Sequence, residues 1–141
     1  MMENPVITIE ATIEADVKHV WNYYTQPAHI TQWNFASHDW HCPSAENDLR
    51  IGGKYDVRME AKDGSFGFNL EATYVEVEPG NRLVYIMADN RTVKIMMLPN
   101  GNSTQVIIEF EAENMNPLEL QREGWQAILN NFKKYVESVT I

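Results

Sequence analysis

The chain has 141 residues, 44% hydrophobic and 22% charged, with a net charge of −9; these values suit one globular domain rather than a disordered chain. The acidic balance argues against nucleic acid and anionic lipid headgroups as partners, because both need a basic surface. A single cysteine, Cys42, excludes an internal disulfide and a thiolate metal cluster, and no apolar run approaches the ~20 residues of a membrane span.

The first ten residues, MMENPVITIE, carry neither a basic start nor an apolar leader core, so the expected compartment is the cytoplasm. Residues 6–13 alternate, with Ile7, Ile9, Ala11 and Ile13 on one face, and read as a half-buried strand. Asp16 then caps a short helix with Val17, Val20, Trp21 and Tyr24 on its apolar face. Pro27 opens a second short helix ending near Trp33. Residues 35–42 are a strand candidate, and residues 43–53 read as a loop by composition, with Gly52-Gly53 allowing a sharp turn.

Residues 54–61 alternate again, with Tyr55, Val57, Met59 and Ala61 aligned. Asp63-Gly64 is a strong hairpin signal, and the partner strand lines up Phe66, Phe68, Leu70, Ala72 and Tyr74. The pattern then slips by one residue to Val75 and Val77, which predicts a β-bulge near Tyr74. Pro79-Gly80-Asn81 makes a turn, residues 83–87 form a strand without clear alternation, and Asp89-Asn90 makes the next turn. Residues 92–98 carry Val93, Ile95 and Met97 on one face; after Asn100-Gly101, residues 104–112 align Val106, Ile108, Phe110 and Ala112.

The last stretch, residues 116–139, is the one segment long enough for a many-turn helix of roughly 34 Å. Asn116 reads as N-cap, Pro117 as first helical residue and Glu119 as the acid of a capping box. Leu118, Trp125, Ile128, Leu129, Phe132, Val136 and Val139 form one stripe, with Lys133, Lys134 and Glu137 facing away. Gly124, at the stripe's edge, suggests close approach of another backbone. Gln121, inside the stripe, is either solvated or a polar group at the mouth of a pocket. One strand, two short helices, a run of hairpin-linked strands and a long helix predict an α+β fold, a curved antiparallel sheet wrapped around the C-terminal helix. No internal repeat or linker divides it, so residues 1–141 are expected to form a single domain.

Several local sequences in this order are familiar. They are Val20-Trp21 in the first helix, Pro27 with Trp33, and DLRIGGKY at residues 48–55. Lys62-Asp63-Gly64, EVEPGNRLVY at residues 76–85 and Gly124-Trp125 complete the set. With them the chain resembles the START / birch-pollen-allergen (SRPBCC) superfamily of helix-grip folds, in the branch named after the activator of heat-shock-protein-90 ATPase homologues. The resemblance implies a cavity between the sheet and the last helix that holds a lipid, sterol, polyketide or flavonoid-like molecule. It also implies two alternatives, a polyketide cyclase or hydrolase in the same cavity, and a stress-response module contacting a chaperone.

The residues themselves leave a filled core and an open cavity as alternatives; the resemblance points to the cavity. Its expected lining is Trp33, then Tyr55, Val57 and Met59, then Phe66 and Phe68, then Val93, Ile95 and Met97, with Gln121, Trp125, Ile128, Leu129 and Phe132 from the helix. Seven Met and four Trp in so small a chain suit an adaptable apolar surface. His38, Asp39, His41 and Cys42 are clustered, but on a strand His38 and His41 point to opposite faces and match no familiar zinc spacing, so no metal is expected. No catalytic residue and no cofactor are assigned. Asp56, Arg58, Glu60, Glu109 and Glu111 fall on outward faces, and phosphate-binding or nucleophile motifs are absent.

Overall fold

The computed structural model describes residues 4–139; the extreme ends of the expected 1–141 domain lie outside the described residues. The elements run β1 (Val6–Ile13), α1 (Val17–Thr25), α2 (Pro27–Trp33), β2 (Trp40–Asn47), β3 (Lys54–Ala61), β4 (Gly67–Glu78), β5 (Arg82–Met87), β6 (Thr92–Asn100), β7 (Ser103–Glu111) and α3 (Leu118–Val139). The strands make one seven-stranded antiparallel sheet in the order β1-β7-β6-β5-β4-β3-β2. The sheet curls, and α3 lies in its concavity, so the architecture is the expected α+β helix grip.

Short-range chemistry places most boundaries. Asp16 Oδ1 accepts the His19 amide proton at 2.9 Å and starts α1. Pro27 supplies a preset φ at the start of α2. Gly64, Gly80, Asn90 and Gly101 all take positive φ at the hairpin turns, where residues tolerant of the left-handed region are required. The slip in β4 is a register shift between Tyr74 and Glu76, and Val75 is the extra residue, turned outward and 45% exposed. Gly53 answers to a different need. A Cβ there would sit 1.9 Å from the Asp48 carbonyl oxygen. Its carbonyl accepts from Tyr74 N at 3.0 Å, and Gly52 N donates to Tyr74 O at 2.8 Å, so the loop is stitched to β4 beside the bulge.

The second strand differs from the sequence reading. It spans Trp40–Asn47 rather than residues 35–42, and takes up half of the stretch read as loop. The composition of residues 43–53 misled, although Pro43 removes a ladder donor. Here it lies in an edge strand that pairs with β3 alone, at a register shift between His41 and Ser44, where no donor is needed.

The start of α3 also differs. The helix begins at Leu118, and the carbonyl of Pro117 accepts the first helical bond, from Gln121 N at 3.2 Å. Glu119 does not reach back; it lies exposed, 3.9 Å from Arg122. Glu113 instead orders the loop before the helix, its carboxylate accepting the amide protons of Met115 at 3.3 Å and Asn116 at 2.7 Å. The buried stripe is shorter than its periodicity suggested: Leu129, Phe132 and Val136 are sealed, whereas Leu118 and Val139 are exposed.

Lys133 and Glu137 face away from the core, as expected, but not into free solvent. They run along the outer edge of β1. Arg122 Nη1 donates to Thr8 O at 2.7 Å, Gln126 Nε2 to Glu10 O at 3.2 Å and Lys133 Nζ to Thr12 O at 2.6 Å. Glu137 accepts from Glu14 N at 2.9 Å. The helix thus covers a sheet edge that would otherwise offer unpaired carbonyls to another chain.

Gly124 does not mark close approach. A Cβ there would meet nothing within 4 Å. Glycine in mid-helix then carries only its entropic cost, so Gly124→Ala is expected to stabilise the protein by about 1 kcal/mol, or about 4 °C in Tm. Thermal unfolding checks this; a lowered Tm would reveal a contact that the geometry does not contain.

Candidate functional site

A cavity of about 220 Å³ lies beneath α3. Its cause is the way α3 packs, chiefly against β1, α1 and α2. The inner faces of β3, β4 and β5 are therefore met by long side chains rather than by the helix backbone. Trp125 bridges toward the sheet by stacking on Phe110, with ring centroids 4.0 Å apart and 11° between planes.

The sheet side of the wall comes from Tyr55 and Met59 of β3, Phe68 and Leu70 of β4, Tyr85 and Met87 of β5, and Ile108 of β7. The helical side comes from Tyr24 of α1, Trp33 and Asn34 at the end of α2, and Trp125, Ile128 and Leu129 of α3. Arg91, in the turn between β5 and β6, stands at the rim. Its guanidinium is engaged by Asp89 Oδ2 at 2.7 Å and the Glu111 carbonyl at 3.2 Å.

The polar part of the wall is phenolic. Asn34 Nδ2 donates to the Tyr55 hydroxyl at 3.3 Å. The Tyr55 and Tyr85 rings stack 5.4 Å apart, and Tyr74 stands edge-on to both at 6.3 and 6.0 Å. Tyr24 stacks on Trp33 at 5.1 Å. Burial pushes the phenols of Tyr24, Tyr55, Tyr74 and Tyr85 well above the ordinary tyrosine value, and for all but Tyr74 repulsion from neighbouring phenolates adds to it. These hydroxyls stay protonated at physiological pH. They can donate and accept hydrogen bonds, but they do not serve as phenolate bases.

Of the residues expected at the site, the structure brings Trp33, Tyr55, Met59, Phe68, Trp125, Ile128 and Leu129 to the cavity wall. The others lie elsewhere. Val57, Val93, Ile95, Met97 and Phe132 are fully buried in the core and off the wall. β6 sits directly under α1, so its inner face is consumed by packing. Phe66 is 62% exposed, because it falls in the turn before β4 begins; its ring contacts Trp40 and Phe68 on the outside. Gln121 is not at the mouth. Its Oε1 accepts from Glu113 N at 2.9 Å, and its Nε2 donates to the carbonyls of Glu113 and Asn116 at 3.0 and 2.8 Å. It pins the loop leading into α3.

Tyr24, Asn34, Leu70, Tyr85, Met87, Arg91 and Ile108 were not among the residues expected there. Tyr24, Leu70 and Ile108 stood on apolar faces already visible in the periodicity. Tyr85 and Met87 belong to a strand whose inner and outer faces are not distinguished by polarity. Asn34 and Arg91 follow a helix and fill a turn, where no periodic signal exists.

The residues of the His38–Cys42 cluster diverge. His41 Nε2 is 3.6 Å from Glu60 Oε1 at the surface, while Cys42 turns inward, its thiol donating to Ser44 O at 3.4 Å. Burial pushes that thiol up to about 11, which removes thiolate reactivity at neutral pH. Among the described residues no group of three His, Cys, Asp or Glu side chains converges on one point, and no helix is long and apolar enough to cross a membrane.

Comparison with known proteins adds the family context. The family model described as "Activator of Hsp90 ATPase homolog 1-like protein" matches residues 14–137. The chain is similar to an AHSA1-like protein from Aeromonas hydrophila, 40% identical over 96% of this chain and 94% of that one, with a TM-score of 0.91. It is similar also to a protein from Cytophaga hutchinsonii, 43% identical over 95% of this chain and 93% of that one, with a TM-score of 0.81. A protein from Chromobacterium violaceum shares the fold at 22% identity, with a TM-score of 0.84 over 94% of this chain and 98% of that one. No match was found among proteins with curated descriptions.

Proposed function

The chain belongs to the activator of Hsp90 ATPase homolog 1-like family, and from that premise we propose that it binds a small apolar aromatic molecule between its sheet and α3. The supporting observation is the cavity itself, walled by Trp33, Trp125, Phe68 and two methionines. Aromatic rings and adaptable thioethers offer dispersion contacts to a planar ligand, and leaving water supplies the driving force at roughly 25 cal/mol per Å² of apolar surface.

Volume sets the size. At about 220 Å³, the space exceeds the roughly 150 Å³ that accommodates benzene in a protein core. It falls below the roughly 300–1,000 Å³ of drug-sized sites. One or two rings fit this state of the cavity; a sterol does not. Binding is favoured over catalysis because the wall's phenols are held neutral by burial and provide no base at neutral pH.

A thermal-shift series from one-ring to four-ring compounds tests this reading. Two-ring aromatics are expected to raise Tm by a few degrees at about tenfold excess over a micromolar Kd, since ligand bound to the native state stabilises it by mass action. Sterols are expected to leave Tm unchanged. Equal stabilisation by sterols, or none by any aromatic, would overturn the assignment.

A further inference from the structure

The cavity has a chemically distinct end. Tyr24 and Tyr85 line it, and no hydrogen bond from any described group reaches either hydroxyl. Neither oxygen is sealed off by protein, for neither is among the wholly enclosed, unpartnered polar atoms. Both therefore look onto the hollow. Tyr55 lies in the same wall, its ring stacked on that of Tyr85 and its oxygen taking the Asn34 amide proton at 3.3 Å, which leaves its own proton to donate. Three phenols able to donate thus line one space from which bulk water is largely withdrawn. A hydroxyl held away from bulk water without a partner is unfavourable, so a ligand oxygen that accepts from these groups gains more here than it would in water.

The same end disfavours a full negative charge. Among the described residues, Arg91 is the one Lys or Arg that lines the cavity. Arg91, at the rim, is already paired with Asp89 at 2.7 Å. A carboxylate would leave water without a free counter-charge.

We propose that Tyr24, Tyr55 and Tyr85 form an oxygen-recognition subsite, which selects uncharged aromatic ligands bearing a hydroxyl or carbonyl oxygen over plain aromatic hydrocarbons and over aromatic carboxylates. The proposal rests on the reading of the cavity as a ligand site and narrows its ligand class.

Naphthalene, 2-naphthol and 2-naphthoate, titrated into the full chain at pH 7 by calorimetry and NMR, test it. Hydrophobic transfer alone ranks naphthalene first. The subsite reverses that order: 2-naphthol is expected to bind at least tenfold tighter than naphthalene, and 2-naphthoate weakest. Replacing Tyr24 and Tyr85 together by phenylalanine is expected to bring the naphthol-to-naphthalene ratio to within about threefold of unity, with Tyr85→Phe alone giving an intermediate ratio; a tenfold ratio corresponds to about 1.4 kcal/mol, the scale of one hydrogen bond. Tyr23→Phe is the control. Its ring packs on His29 and Tyr135 instead, with centroids 4.4 and 5.9 Å away, and the wild-type ratio is expected to persist. Equal or tighter binding of naphthalene, tightest binding of 2-naphthoate, or an unchanged ratio in the double variant would overturn the subsite while leaving the cavity reading intact. Failure of all three probes to bind would overturn both.

Discussion

Replacing Phe132 by alanine lowers stability by about 3–5 kcal/mol, the cost of removing a large aromatic from a site that cannot collapse. Phe132 is 0% exposed. Its ring stands edge-on to Trp33 at 4.8 Å and to Tyr24 at 5.1 Å, so one side chain of α3 holds both short helices in place. Native domains have only about 5–15 kcal/mol in total, and the loss therefore consumes much of the reserve. It also loosens two residues of the cavity wall, because Trp33 and Tyr24 are positioned against this ring. Urea unfolding measures the effect as a lowered midpoint at unchanged slope. A loss below about 1 kcal/mol would mean that α3 is not the rod around which the sheet closes.

Alkaline pH is expected to unfold the protein. Four phenols, those of Tyr24, Tyr55, Tyr74 and Tyr85, have folded-state values raised by burial, whereas in the unfolded chain each titrates near 10. Below pH ~10 both states hold the protons, and the contribution to stability is fully present. Above it the unfolded chain releases protons that the folded chain keeps. Stability then falls by about 1.4 kcal/mol per pH unit for each phenol, or about 5 kcal/mol per unit for the four together. Thermal unfolding followed from pH 7 to 12, with the phenolate absorbance recorded in parallel, separates the cases. Cooperative unfolding with simultaneous appearance of phenolate is the expected result. Free titration of these tyrosines near pH 10 in a folded protein would show their hydroxyls to be solvated, contrary to the geometry.

The fold was legible because each local signal agreed with the global one. Alternation in β1, β3, β6 and β7, turn residues tolerant of positive φ, and the aromatic stripe of α3 together specify a curled sheet around a helix. The failures have physical reasons. Residues 43–53 were read as a loop by composition because sequence does not reveal that β2 is an edge strand, where Pro43 is tolerated. Gln121 was read as a pocket group because periodicity reports the side of a helix, not the loop that lies over it.

The site was half legible for a similar reason. Facing inward is a property of a strand and can be read from period two. Facing a void depends on which neighbouring element is absent, and that is a property of the assembled molecule. Val93, Ile95 and Met97 face inward yet meet α1 and β7 rather than open space. Tyr85 and Met87 face inward across the hollow from the side chains of α3.

Intermolecular NOEs from 2-naphthol to the assigned protein bear most directly on the account. If the hollow beneath α3 holds the ligand, cross-peaks arise to the Trp125 indole, the Met59 and Met87 methyls and the Tyr85 ring. Cross-peaks confined to the exposed Phe66 ring and the half-buried Trp40 ring beside it, or none from a ligand that calorimetry shows to be bound, would contradict it.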